Sequence, residues 1–103
     1  MNDTDPHPLP ELNQAILDPD TLDQLFHDLA ACTRILEVQI KFGAEHHAPQ
    51  SHITLEESRR LLTQGRVRGV QIRYRYGDAD WCDTLIAVSG GTRLVRMKQK
   101  SHT

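Results

Sequence analysis

The first 33 residues contain neither lysine nor arginine, yet they carry seven acids: Asp3, Asp5, Glu11, Asp18, Asp20, Asp23 and Asp28. All twelve basic residues fall in the other 70 positions, where seven acids oppose them. The formal net charge of −2 therefore hides −7 in the first third and +5 in the rest. Such polarisation resolves in one of two ways. Either the two parts neutralise each other across an internal contact, or the protein shows two unlike surfaces to partners. The near-zero total excludes the uniform positive field of a strong non-specific nucleic-acid binder.

Cysteine is scarce: Cys32 and Cys82 are the only two. That is too few for a disulfide scaffold in a chain of 103 residues, so two buried thiols in a reducing compartment are expected. Neither cysteine adjoins a histidine, and a thiol nucleophile needs a base beside it. No apolar run approaches the roughly 18 residues of a membrane span. The opening MNDTDPHPLPEL is acidic and proline-rich, unlike the basic n-region of a secretory signal. The expectation is a cytoplasmic protein with no membrane partner. The chain also lacks GxGxxG, a Walker loop, CxxC, HExxH and GxSxG. Gly90-Gly91 precedes a strand rather than a helix, so it is a turn and not a phosphate cradle. No catalytic residue, cofactor or metal site is expected.

Apolar spacing supplies the elements that are present. Pro10 opens a short helix over 10–17, and Asp18-Pro19-Asp20 interrupts it. A second helix spans 20–33, N-capped by Asp18 or Asp20, with Leu22, Leu25, Phe26, Leu29 and Ala30 in one stripe. Residues 35–42 alternate as a strand, with Leu36, Val38, Ile40 and Phe42 on one face and Glu37, Gln39 and Lys41 on the other. A loop covers 43–52. Thr54 and Glu57 form a capping box for a helix over 54–64, which Gly65 stops. Strands follow at 67–76, 80–88 and 92–98, with turns at Gly77-Asp78 and Gly90-Gly91. The predicted fold is α+β in the order α-β-α-β-β-β. It has two principal helices on a four-stranded, mostly antiparallel sheet whose last three strands form a meander. The segment from the first strand through the helix to the second is a candidate right-handed parallel crossover. A single domain at 10–98 lies between flexible tails at 1–9 and 99–103.

Three groups of residues could carry function. Arg59, Arg60, Arg66, Arg68, Arg73 and Arg75 fall within an acid-free stretch. Their planar donor forks suit carboxylate and phosphate. The plainer expectation is that they pair across the sheet with Glu37, Asp80 and Asp83. Next, a register with Tyr76 opposite Asp80 sends Trp81, Asp83, Leu85 and Ala87 away from the core. Trp81 then lies beside Arg75, and Asp83 between Arg73 and Lys98. The competing reading packs Trp81 under the helix at 20–33, because a one-residue slip exchanges the faces. Last, His46, His47 and His52 share a loop with Glu45, but their spacing matches no metal-ligand pattern.

The favoured expectation is a small non-enzymatic accessory or adaptor protein. It binds another protein through an Arg/Trp sheet face made by Arg73, Arg75, Trp81, Asp83 and Arg96, through a strand edge, or as a homodimer. The alternative is a module for single-stranded RNA or DNA that uses the Arg59–Arg75 cluster. A weaker third is a ligand-binder with a pocket between the helix at 20–33 and the sheet.

Overall fold

A computed structural model describes residues 14–41 and 53–99. The histidine loop, Phe42, the predicted tail at 1–9, residues 10–13 of the predicted first helix and residues 100–103 lie outside the described residues. The elements run β1 (Gln14–Leu17), α1 (Pro19–Cys32), β2 (Arg34–Lys41), α2 (Leu55–Thr63), β3 (Gly69–Tyr76), β4 (Ala79–Val88) and β5 (Gly91–Lys98). The five strands form one sheet in the order β1-β5-β4-β3-β2, and every neighbouring pair is antiparallel. The α+β class and the β3–β5 meander agree with the sequence expectation; the strand count is five rather than four.

Residues 14–17 form the fifth strand, not the end of a helix. As a strand they complete a ladder with Thr92–Val95 and bury Leu17. Helix α1 starts where its cap chemistry places it: the Asp18 side chain accepts from the Thr21 N–H at 2.8 Å, and Pro19 occupies the first turn. Its stripe of Leu22, Leu25, Phe26 and Leu29 is buried against the sheet, whereas Ala30 is exposed. In α2 the capping box is complete, because Thr54 Oγ1 accepts from the Glu57 N–H while the Glu57 carboxylate accepts from the Thr54 N–H.

The predicted parallel crossover is an antiparallel excursion. Lys41 pairs with Gly69, so the chain leaves β2 and re-enters β3 at the same end of the sheet. The segment between them goes out and back, with α2 lying over β2 and β3. A register shift between Ile35 and Glu37 marks a bulge. It explains why Leu36, expected in the core, is 41% exposed, and why Ile35 packs against the core instead.

The first hairpin turns at Gly77-Asp78 as expected but with a register one residue away, and the second turn is itself shifted by one residue. Tyr76 pairs with Ala79, leaving Gly77 and Asp78 as the two loop residues. Val88 pairs with Gly91, so Ser89-Gly90 forms the second turn, and Asp83 faces Arg96 rather than Lys98. Both helices pack on the face made by Val70, Ile72, Tyr74, Leu85 and Leu94, each at most 2% exposed. Ile86, Val88 and Val95 point to the other face, which no helix covers among the described residues.

Gly91 joins β1 to this sheet. Its φ is +149°, and a Cβ there would fall onto the Leu17 carbonyl oxygen. Gly91→Ala should therefore lower unfolding stability by about 1–3 kcal/mol. Thr54→Ala, which removes only the α2 cap, should cost about 1 kcal/mol. Urea unfolding of the two variants measures both, and an unchanged midpoint for Gly91→Ala would contradict the close approach of β1.

Candidate functional site

The β3–β4 register divides the five predicted partner-binding residues between the two sides of the sheet. Tyr74 pairs with Trp81, Ile72 with Asp83 and Val70 with Leu85. Directly opposed residues share a face, so Trp81, Asp83 and Leu85 lie on the helix side. Arg73 pairs with Cys82 and Arg75 with Asp80 on the open side. The expected Arg/Trp face is thus corrected: the ladder is one residue out of the predicted register, and a one-residue difference exchanges the faces.

On the helix side, three polar side chains form a buried unit. Arg96 Nε donates to Asp83 Oδ1 at 2.8 Å, and Nη2 donates to Oδ2 at 2.7 Å. The Tyr74 hydroxyl donates to Asp83 Oδ1 at 2.9 Å. Asp83, Tyr74 and Arg96 are 0%, 1% and 3% exposed. The two-pronged contact is the strongest geometry available to a carboxylate and a guanidinium. Burial alone would disfavour the charge on Arg96, but the hydrogen bonds and charge of Asp83 outweigh it and hold the pKa above its ordinary value. Burial, reinforced by the Asp83 charge, pushes the Tyr74 hydroxyl far above its ordinary 10.0. Trp81 flanks this unit and packs against the core, with Lys98 Nζ 5.8 Å from its ring centroid. Its buried Nε1–H finds no acceptor among the described residues.

The open side carries a different mixture. Arg73 Nη1 donates to Glu37 Oε1 at 2.9 Å, and Arg75 Nε donates to Asp80 Oδ1 at 2.9 Å. These are cross-strand pairs of the kind expected from the acids nearby, although Asp83 is engaged elsewhere. The same face shows Met97, 59% exposed, toward the end of the sheet that carries these pairs, and Ile16 and Val88, 55% and 36% exposed, toward the other end. Ile86 and Val95 are half-buried between them. Cys82 sits on this face on the central strand and is nearly covered; its burial, followed by the Asp83 charge, raises its pKa. Cys32, expected to be buried, is exposed at the last turn of α1, where the chain passes to edge strand β2.

Among the described residues an ion pair joins the acidic helix to the basic part of the chain. Arg59 Nη1 lies 3.4 Å from Asp23 Oδ1, while the rest of its guanidinium binds Glu56. This pair forms a ridge between two open grooves. One, of about 510 Å³, runs between the helices past Phe26 and His27. The other, of about 470 Å³, lies over Leu17, Leu62 and Thr92 where the helices meet the sheet. Among the described residues no group of three His, Cys, Asp or Glu side chains gathers as metal ligands, and no helix is long and apolar enough to cross a membrane.

No known protein family, curated protein or solved structure matches this chain.

The buried unit was legible only in pieces, because Asp83 and Arg96 look like two more surface charges until the register places them. Asp83→Asn strands the Arg96 charge and should cost about 3–5 kcal/mol. Tyr74→Phe removes the hydroxyl that donates to Asp83 and should cost about 1 kcal/mol. Because the folded-state pKa of Tyr74 is raised, its contribution is complete below the unfolded value of about 10 and is lost as pH climbs above it. Chemical denaturation across pH 8–11.5 should show stability falling above pH ~10, with a shallower fall in Tyr74→Phe. Equal slopes in the two proteins would contradict the assignment.

Proposed function

We propose that this protein is a small non-enzymatic accessory protein that binds another protein, and that the open face of the sheet is its contact surface. One observation supports this above the others: Ile16 and Val88 stand exposed toward one end of the face without helices and Met97 toward the other, while Arg73 and Arg75 on that face are already held by acids. Exposed apolar side chains on a face whose Arg73 and Arg75 are paired suit a protein surface better than a phosphate backbone. The size is adequate. Five strands about 4.8 Å apart, most of them about 27 Å long, give a face on the order of 600 Å², near the roughly 800 Å² per partner of a standard interface.

Of the originally expected contact residues, Arg73 and Arg75 belong to this surface. Trp81, Asp83 and Arg96 support it from behind. The nucleic-acid alternative draws less from the same geometry. Trp81, Tyr74 and Tyr76 all sit on or toward the helix side, so among the described residues none of these rings offers the open face a platform on which a base could stack. Arg59, Arg73 and Arg75 are each committed to an acid.

The test compares the full chain with Ile16→Ser/Met97→Glu and with Arg73→Gln/Arg75→Gln as baits in extract of the native cell. These side chains are substantially exposed, so the fold should persist by circular dichroism. Capture of specific proteins should fall at least several-fold with the first variant and change in salt dependence with the second. Identical captured proteins at identical yield would remove the open face from consideration. Binding to single-stranded RNA that weakens steeply with salt would instead favour the nucleic-acid reading.

A further inference from the structure

The outer edge of β2 is the longest unpaired strand edge among the described residues. The sheet ends in β1 on one side and β2 on the other. β1 offers four residues and is stopped by Asp18-Pro19, two of the usual protections against edge pairing. β2 offers eight residues, contains no proline, and pairs only with β3. Its bulge disturbs the first half and leaves Glu37–Lys41 as a regular run of five.

That run is complementary to itself. It reads Glu37-Val38-Gln39-Ile40-Lys41. Placed antiparallel against a second copy with Gln39 opposite Gln39, it sets Glu37 opposite the second copy's Lys41 at both ends. Val38 then faces the second copy's Ile40. The faces agree as well, since a two-fold axis normal to the sheet at Gln39 joins helix side to helix side and open side to open side. Other registers lose this match. A one-residue slip joins opposite faces of the two sheets. A two-residue slip sets Gln39 against Glu37 or Lys41 and leaves the opposite charges apart. Glu37 can accept the additional lysine, because a carboxylate has about four acceptor sites and Glu37 uses two, for Arg73 at 2.9 Å and Gln39 at 3.2 Å.

We propose that β2 is a homodimerisation edge, at which Glu37–Lys41 of two copies pair antiparallel about Gln39 to give a continuous ten-stranded sheet. The occupant is a second copy of this chain, chosen by charge complementarity and by backbone groups that otherwise lack partners among the described residues. The contact leaves the open face free, so it stands independently of the function proposed above.

Sedimentation of the full chain over a concentration series should show a monomer–dimer equilibrium. Lys41→Glu brings like charges together at both ends of the contact and should weaken the dimer about tenfold. The exchange Glu37→Lys/Lys41→Glu should restore it, and circular dichroism confirms folding of each variant. A cysteine probe locates the contact. In a Cys32→Ser background, Gln39→Cys places two Cα atoms about 4.5–5.5 Å apart across the axis, within disulfide range. It should give a disulfide-linked dimer under mild oxidation, whereas Gln71→Cys, one strand inward, should not. A monomer at all concentrations overturns the proposal. So does a dimer that Lys41→Glu leaves intact and Gln39→Cys fails to cross-link faster than Gln71→Cys.

Discussion

The closure of β3 onto β4 at Gly77-Asp78 decides which side chains this protein hides and which it shows. With two loop residues, Tyr76 meets Ala79, and every later pair follows from that contact. Leu85 joins Val70 in the core, Asp83 lies beside Ile72, and Trp81 lies beside Tyr74. The same closure puts Arg73 and Arg75 outside, where Glu37 and Asp80 hold them. Because side chains alternate with a period of two, there is no intermediate arrangement.

The buried Asp83–Arg96–Tyr74 unit turns this geometric choice into an energetic one. Two charges leave water to make it, and the contact returns that cost only while all its bonds are present. A one-residue slip between β3 and β4 would carry β4 with it to the opposite face. Asp83 would then leave Tyr74, and Leu85 and Trp81 would leave the core face. A one-residue slip of β5 against β4 would turn Arg96 to the open face and leave Asp83 buried without its guanidinium. The turn selects the register, and the ion pair penalises the alternatives. In a domain this small, where the core comprises few large side chains, such a penalty matters more than it would in a larger one. The pair therefore contributes chiefly to uniqueness of the strand pairing, since an apolar replacement of equal volume would serve stability as well.

Local signals identified the helices and the meander, and non-local pairing decided what they could not. The stripe of α1, its Asp18-Pro19 start and the Thr54–Glu57 box are statements about neighbours within four residues. The alternation of β3 is equally local. Residues 14–17 have no such signature: Gln-Ala-Ile-Leu suits a helix as well as a strand, and only the exposed edge of β5 makes them a strand. The orientation of β2 against β3 was hidden for the same reason, since an excursion and a crossover have similar composition. Trp81 illustrates the sharpest limit. Both of its faces were chemically plausible, with arginines on one and a core on the other, and a single residue in the turn separated them. The bulge at Leu36 likewise leaves no mark in an otherwise regular alternation.

The charge division along the chain now has a spatial meaning. Helix α1 lies on the side of the sheet away from Arg73 and Arg75, so its own acids do not neutralise those arginines. The partners of Arg73 and Arg75 are Glu37 and Asp80, drawn from the basic part itself. The described ion pair between the acidic helix and the basic remainder is Asp23 with Arg59, long at 3.4 Å and open to solvent. An exposed pair at that distance contributes little. The polarity is therefore not consumed in holding the fold together. It persists as an acidic helix on one side and a sheet face of paired arginines with exposed Ile16 and Met97 on the other. A partner that distinguishes these sides needs no deep pocket. Pairing at the β2 edge would place two open faces side by side in one plane. The β3–β4 register is thus what fixes which charges stand on which side of the sheet.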